Sequence, residues 1–190
     1  MQKTTKKLTL SAMFMALGMV LPFLTGQIQQ IGNMLLPMHL PVFLCGLICG
    51  WKYGVVVGFI LPLLRSATFG MPALYPMALA MAFELATYGL VAGMLYERSR
   101  WKCVRALYRS LIAAMLAGRI VWGIAEIVLL GISGSTFTWQ MFLSGALLNA
   151  IPGIVIQLIL IPGVMLALNK TGMVPLKERA GQYKMRRNEQ

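Results

Sequence analysis

The stretch that decides the fold is residues 107–132, LYRSLIAAMLAGRIVWGIAEIVLLGI, an apolar run with few charges. A bilayer core is about 30 Å thick and needs roughly 20 apolar residues in a helix, so this run is long enough to cross it. Of the 190 residues 58% are hydrophobic and only 12% are charged. Only helices or closed barrels satisfy their backbone groups in lipid, and no alternating strand pattern is visible. The sequence therefore predicts an all-α membrane protein.

Other apolar runs of comparable character lie on both sides of this stretch. They cover residues 8–24, 34–51, 53–64, 71–96 and 138–168. Together the runs predict six transmembrane helices in one bundle. Pro37, Pro41 and Pro62 interrupt the second and third runs, so these two helices are expected to be short or irregular.

The basic residues indicate how the bundle lies in the membrane. The chain has 17 Lys and Arg against 5 acids, and fifteen of the 17 fall on one side if both termini are cytoplasmic. The positive-inside rule therefore places both termini in the cytoplasm. We expect a basic N-terminus over residues 1–7, a membrane domain over 8–169 and a basic tail over 170–190. The charge indicates contact with anionic lipid headgroups, and no nucleic-acid partner is expected.

Several kinds of chemistry are absent from the sequence. Every acid is Glu, and His39 is the single histidine. Without Asp or a second His, neither a metal site nor a Ser and His pair can be assembled, so we expect no enzyme and no bound cofactor. His39 is interpreted as an interfacial residue, and Cys45 and Cys49 as small apolar packing residues.

Four ionisable residues lie within the apolar runs, where charge is costly and marks function by default. They are Arg65, Glu84, Arg119 and Glu126. Glu84 and Arg119 fall near the bilayer midplane, and Arg65 and Glu126 towards the outer face. One interpretation is structural, with Glu84 paired to Arg119 and Glu126 paired to Arg65. The other is a polar cavity that binds a ligand.

Further side chains fit the ligand interpretation. Trp122 stands on one helix face between Arg119 and Glu126, which suits a planar or carboxylated ligand. Tyr88 shares a face with Glu84, and Asn149 supplies an amide from the sixth run. The outer loop over residues 69–76 would close over the site with Tyr75 as an aromatic lid. The alternatives are an internal Arg to Trp contact, interhelical hydrogen bonds and a plain connecting loop.

Three segments resemble a known family. Ala12 and Ala16 form an A-x-x-x-A pattern in the first run, and residues 39–54 read HLPVFLCGLICGWKYG. With six spans and both ends inside, the chain resembles a substrate-binding S component of an energy-coupling factor (ECF) vitamin transporter. Gly70-Met-Pro before residues 81–93, MAFELATYGLVAG, is similar to the subgroup that includes pantothenate-type S components.

This resemblance implies a bacterial, multi-pass membrane subunit that binds a vitamin from outside. It implies docking through Ala12 and Ala16 with a transmembrane coupling subunit and two ATPase subunits, which use the ATP. Pantothenate is the first candidate, with hydroxymethylpyrimidine, pyridoxine or folate as alternatives. Two other functions remain open from the residues alone: a self-contained secondary carrier or channel with Glu84 as a proton site, and a purely structural membrane subunit.

Overall fold

The computed structural model describes residues 2–25, 37–99, 103–132 and 151–170. These residues form a helical bundle, as the sequence predicts. The helices are α1 (Gln2–Val20), α2 (His39–Ile48), α3 (Trp51–Phe69), α4 (Leu79–Arg98), α5 (Val104–Ile132) and α6 (Ile151–Lys170). Helix α1 continues into a 3₁₀ turn, Leu21–Thr25, and a single π turn, Leu74–Ala78, leads into α4. Five helices, α1 and α3 to α6, are long and apolar enough to cross a membrane.

The second and third helices differ from each other more than their prolines suggest. Helix α2 has only 10 residues, as expected of a short helix, and Pro41 lies in its first turn, where a missing N–H does little harm. Helix α3 has 19 residues and contains the buried Pro62, so of the expected short or irregular helices this one is not short. A proline removes only one bond of the helical ladder, and neighbouring helices tolerate the gap in a membrane bundle. Helix α3 ends at Gly70, whose φ of 69° is left-handed.

The helices alternate in direction, which brings particular ends together. Lys7 Nζ and Glu97 Oε2 lie 3.8 and 4.0 Å from the Cβ position of Gly50, so the start of α1, the α2–α3 turn and the end of α4 meet. We call this the inner end, following the positive-inside rule. At the outer end, the rings of Phe23 and Phe69 meet edge to face with centroids 4.9 Å apart.

Helix α4 is central, because it packs against α2, α3 and α5. Its contacts with α2 and α3 are made through glycines. A Cβ on Gly54 would lie 2.7 Å from the Cα of Gly46, one on Gly46 would lie 2.8 Å from the carbonyl oxygen of Gly89, and one on Gly93 would lie 2.7 Å from the Cα of Trp51. Side chains do not fit at such distances, so the three backbones touch. We call Gly46, Gly54, Gly89 and Gly93 the glycine seam.

Candidate functional site

Glu84 is the centre of a buried polar network. It lies one helical turn before Tyr88 on α4, and both side chains are 2% exposed. The Tyr88 hydroxyl donates to Glu84 Oε1 over 2.6 Å, and Arg119 Nη1 on α5 lies 3.1 Å from the same oxygen. The carboxylate is thus neutralised by a guanidinium from the neighbouring helix. The predicted Glu84 and Arg119 pairing is confirmed.

His39 joins this network from a third helix. Its Nε2 lies 3.8 Å from Glu84 Oε2, too far for a hydrogen bond, and the residue is 1% exposed. Both ring nitrogens are buried and have no hydrogen-bond partner in the part of the chain that the structure describes. The interpretation of His39 as an interfacial residue is wrong. Helix α2 is only about 15 Å long, half the thickness of the bilayer core, so its first residue lies near the middle of the membrane.

Two neighbouring helices pack against the Tyr88 ring. It stacks on Phe43 of α2, with centroids 4.8 Å apart and an interplanar angle of 26°. Helix α5 passes so closely that a Cβ on Gly118 would overlap the Cδ1 and Cε1 edge of the ring. Because Gly118 directly precedes Arg119, this close approach brings the guanidinium to Glu84. Gly118 is therefore a positioning residue.

Glu126 lies two turns beyond Arg119 on α5 and is 7% exposed. Among the described residues it forms no ion pair with Arg65 or with another cation. Its predicted pairing with Arg65 is wrong. Arg65 Nη1 instead donates to the carbonyl oxygen of Met19 over 2.7 Å. We call His39, Glu84, Tyr88, Arg119 and Glu126 the polar cluster.

Arg65 serves the end of α1. Met19 lies in the last turn of α1, where carbonyls lack donors within the helix. The guanidinium supplies one, and lies 5.3 Å from each of the Phe23 and Phe69 ring centroids. A cation is also favoured at a helix C-terminus by the helix dipole. These contacts place Arg65 outside the polar cluster.

Tyr75 links the outer turn to α5. Its hydroxyl donates to the carbonyl oxygen of Leu129, one turn beyond Glu126 on the same helix. Leu129 is in the last turn of α5, where carbonyls have no partner within the helix. The Tyr75 side chain is 43% exposed. The turn is thus attached at the outer end next to the polar cluster, and its role as a lid stays a prediction.

The family of the chain follows from comparison with known proteins. The model of the family described as "ECF transporter, substrate-specific component" matches residues 6–165. The chain belongs to this family. No curated protein and no solved structure gives a significant match. The chain is therefore a multi-pass membrane component of an ECF transporter, in a family of substrate-binding subunits rather than enzymes.

The other predicted ligand residues of this S component are placed as follows. Trp122 is half-buried on α5, between Arg119 and Glu126 in sequence. Gln157, another amide of the sixth run, is 2% exposed within α6. Asn149 lies outside the described residues.

Ala12 and Ala16 lie on a different surface of the S component. Both are exposed on α1, whereas Ser11, Phe14 and Gly18 on the same helix are buried against the bundle. Helix α1 packs against α2 and α3 through that buried side. The alanines thus do not take part in the packing of the described helices, and their docking role stays a prediction.

His39 and Gly118 are the functional residues that the sequence did not reveal. The partner of His39 is Glu84, which is far from it in sequence and close only after α2 and α4 pack together. In the sequence, His39 stands near two prolines at the start of an interrupted apolar run, and this position could have indicated a helix that begins inside the membrane. Gly118 stands directly before an intramembrane arginine, which could have indicated a close helix contact there.

Proposed function

We propose that this S component captures a water-soluble vitamin or vitamin precursor from the outer side of the membrane, at the polar cluster. The observation that carries the proposal is unused hydrogen-bonding capacity. Among the described residues, both His39 ring nitrogens and Arg119 Nε are buried near Glu84 without a hydrogen-bond partner. Such groups are costly to bury in a folded protein unless a ligand or water completes them.

The geometry supports a small polar ligand. Arg119 contacts Glu84 through Nη1 and leaves Nε to donate to a ligand acceptor, while among the described residues Glu84 Oε2 has only His39 nearby, at 3.8 Å. Donors and acceptors therefore face the same region from α2, α4 and α5. Pantothenate is the first compound to test because of the sequence resemblance. Hydroxymethylpyrimidine, pyridoxine and folate are the alternatives.

The same proposal assigns the energy source to partner subunits. Two ATPase subunits would use ATP, and a transmembrane coupling subunit would receive the S component through Ala12 and Ala16. The exposure of Ala12 and Ala16 on α1 supports a docking surface there, because small residues allow another helix to approach closely. The proposed location is the bacterial cell membrane, without a nucleic-acid partner and without a cofactor bound by this chain.

The test is the thermal unfolding midpoint of the full-length chain purified in detergent, with and without each compound. A ligand at a hundredfold its dissociation constant stabilises the folded state by about 2.7 kcal/mol. One compound is expected to raise the midpoint of the parent chain but not of Arg119→Met. Arg109→Met is the matched control, because Arg109 is exposed near the inner end of the same helix. Equal stabilisation of parent and Arg119→Met would refute the assignment of the site.

A further inference from the structure

His39 of α2 is buried with its hydrogen bonds unmade. The residue is 1% exposed, and within the described part of the chain neither ring nitrogen has a hydrogen-bond partner. Buried polar groups of folded proteins are nearly all hydrogen-bonded, and an imidazole buried without partners costs stability relative to an apolar side chain. Two such nitrogens in one side chain indicate a partner from outside the chain.

The ring of His39 is nevertheless held in place. It packs against the Tyr88 ring with centroids 5.3 Å apart and an interplanar angle of 52°, and its Nε2 lies 3.8 Å from Oε2 of Glu84. Helix α2 is itself fixed on α4, because a Cβ on Gly46 would lie 2.8 Å from the carbonyl oxygen of Gly89. The position of the imidazole is therefore set by helix packing.

The two nitrogens of this ring have different neighbours. A neutral imidazole carries its proton on one nitrogen and leaves the other as an acceptor. Carboxylate oxygens only accept, so the proton belongs on Nε2, which faces Oε2 of Glu84. Arg119 already pairs with the same carboxylate at 3.1 Å, so His39 is not needed as a second cation. Nδ1 is then a buried acceptor for which the described residues supply no donor.

Arg119 has the complementary deficit. Its Nη1 contacts Glu84, whereas its Nε is a buried donor without an acceptor among the described residues. His39 and Arg119 come from different helices, α2 and α5, and each reaches within 3.8 Å of the Glu84 carboxylate. An unfilled acceptor and an unfilled donor thus lie around one carboxylate, where a single small molecule can contact both.

We propose that His39 determines ligand specificity by accepting a hydrogen bond at Nδ1 from an O–H or N–H group of the ligand, while Arg119 Nε donates to an acceptor of the same ligand. The ligand class is therefore a compound that carries a hydroxyl or amino group together with an acceptor oxygen or ring nitrogen. A site built to pair such a group rejects an analogue that lacks it, because its own polar atom is then left unpaired. This inference rests on the proposed function and names the ligand group that the same site recognises.

The experiment measures dissociation constants of the full-length chain in detergent at pH 7.5, for pantothenate, hydroxymethylpyrimidine, pyridoxine and folate. The variants are His39→Asn, His39→Gln and His39→Leu. The Asn amide can place its oxygen where Nδ1 lies, and the Gln amide can place its nitrogen where Nε2 lies. For a compound that the parent binds, His39→Asn is expected to bind at least about tenfold more tightly than His39→Gln. His39→Leu should weaken binding at least about tenfold relative to the parent, which corresponds to about 1.4 kcal/mol of hydrogen bonding lost.

The two amide variants are each other's control, because they differ in the ring nitrogen that they replace. If His39 only held Glu84 in place, the contact of Nε2 would matter and the order would be reversed, with His39→Gln the tighter binder. The unfolding midpoint of each variant without ligand shows that it is folded. Equal or reversed affinities of the two amide variants, or binding by His39→Leu as tight as that of the parent, would overturn the specificity role and leave vitamin capture standing. Absence of binding of all four compounds by the parent would overturn both.

Discussion

Gly118→Ala tests whether close contact between α5 and Tyr88 builds the polar cluster. The added methyl group would overlap the edge of the Tyr88 ring, which also stacks on Phe43 with ring centroids 4.8 Å apart. Overpacking of this kind costs about 1–3 kcal/mol. Displacing the ring also breaks the 2.6 Å hydrogen bond to the Glu84 carboxylate. A hydrogen bond to a charged group contributes about 1.5–3 kcal/mol, so the expected total is about 2.5–6 kcal/mol.

The assay is thermal unfolding of the purified chain, followed by circular dichroism. A chain of this size loses about 2–4 °C per kcal/mol, so the midpoint of Gly118→Ala should fall by at least about 5 °C. Gly131→Ala is the matched control on the same helix, because none of the described residues lies within 4 Å of its Cβ position. This control should be neutral, or stabilising by up to about 1 kcal/mol through helix propensity.

A second substitution tests the physical cause. Tyr88→Leu removes the ring that the new methyl group would strike, so adding Gly118→Ala to Tyr88→Leu should cost less than about 1 kcal/mol. A coupling of about 0.5–3 kcal/mol between contacting sites is typical of such a cycle. Equal midpoints for Gly118→Ala and Gly131→Ala, or additive effects of Gly118→Ala and Tyr88→Leu, would refute the reasoning.

Three further predictions concern surfaces around the polar cluster. Ala12→Leu and Ala16→Leu should leave vitamin binding intact and abolish uptake in cells that contain the coupling module, because bulk there blocks helix docking; uptake by both variants would contradict the docking surface. Arg65→Met leaves the Met19 carbonyl without its donor, so it should lower the free energy of unfolding by about 1–3 kcal/mol. The ligand dissociation constant should not change, and a higher one would show that Arg65 contacts the ligand. Tyr75→Phe removes the bond to α5 and should raise the ligand dissociation rate in stopped-flow measurements, whereas an unchanged rate would argue against a lid.

The depth of each ionisable residue along its apolar run predicted one contact of the site from the sequence alone. Glu84 and Arg119 fall at the same depth, and buried opposite charges at matched depth on neighbouring helices find each other. The same argument failed for Arg65 and Glu126. The carbonyl of Met19, at the end of α1, binds the Arg65 guanidinium instead, and the depth of a residue along its span does not reveal a backbone acceptor.

The position at which α2 begins explains why the burial of His39 was not predicted. An apolar run over 34–51 does not show that α2 begins only at His39, near the middle of the membrane. His39 was therefore interpreted as interfacial, although it is buried beside Glu84. Gly46 with Gly50, and Gly54 with Gly58, have the small-residue spacing that lets another helix approach closely, and Gly46 and Gly54 do lie at such contacts. Which helices touch is decided by packing across the whole bundle.

The glycine seam has a mechanical consequence. Where α2, α3 and α4 meet backbone to backbone, no rotamers can rearrange, and a small slide would force main-chain atoms into each other. These three helices are therefore stiff relative to one another and should move as one rigid unit. Helices α1 and α5 contact this unit through side chains such as Phe14 and Leu111, which can repack. Large rearrangements during a transport cycle should thus occur where α1 and α5 contact the unit. The distances between spin labels placed on α2, α3 and α4 should stay the same throughout the cycle.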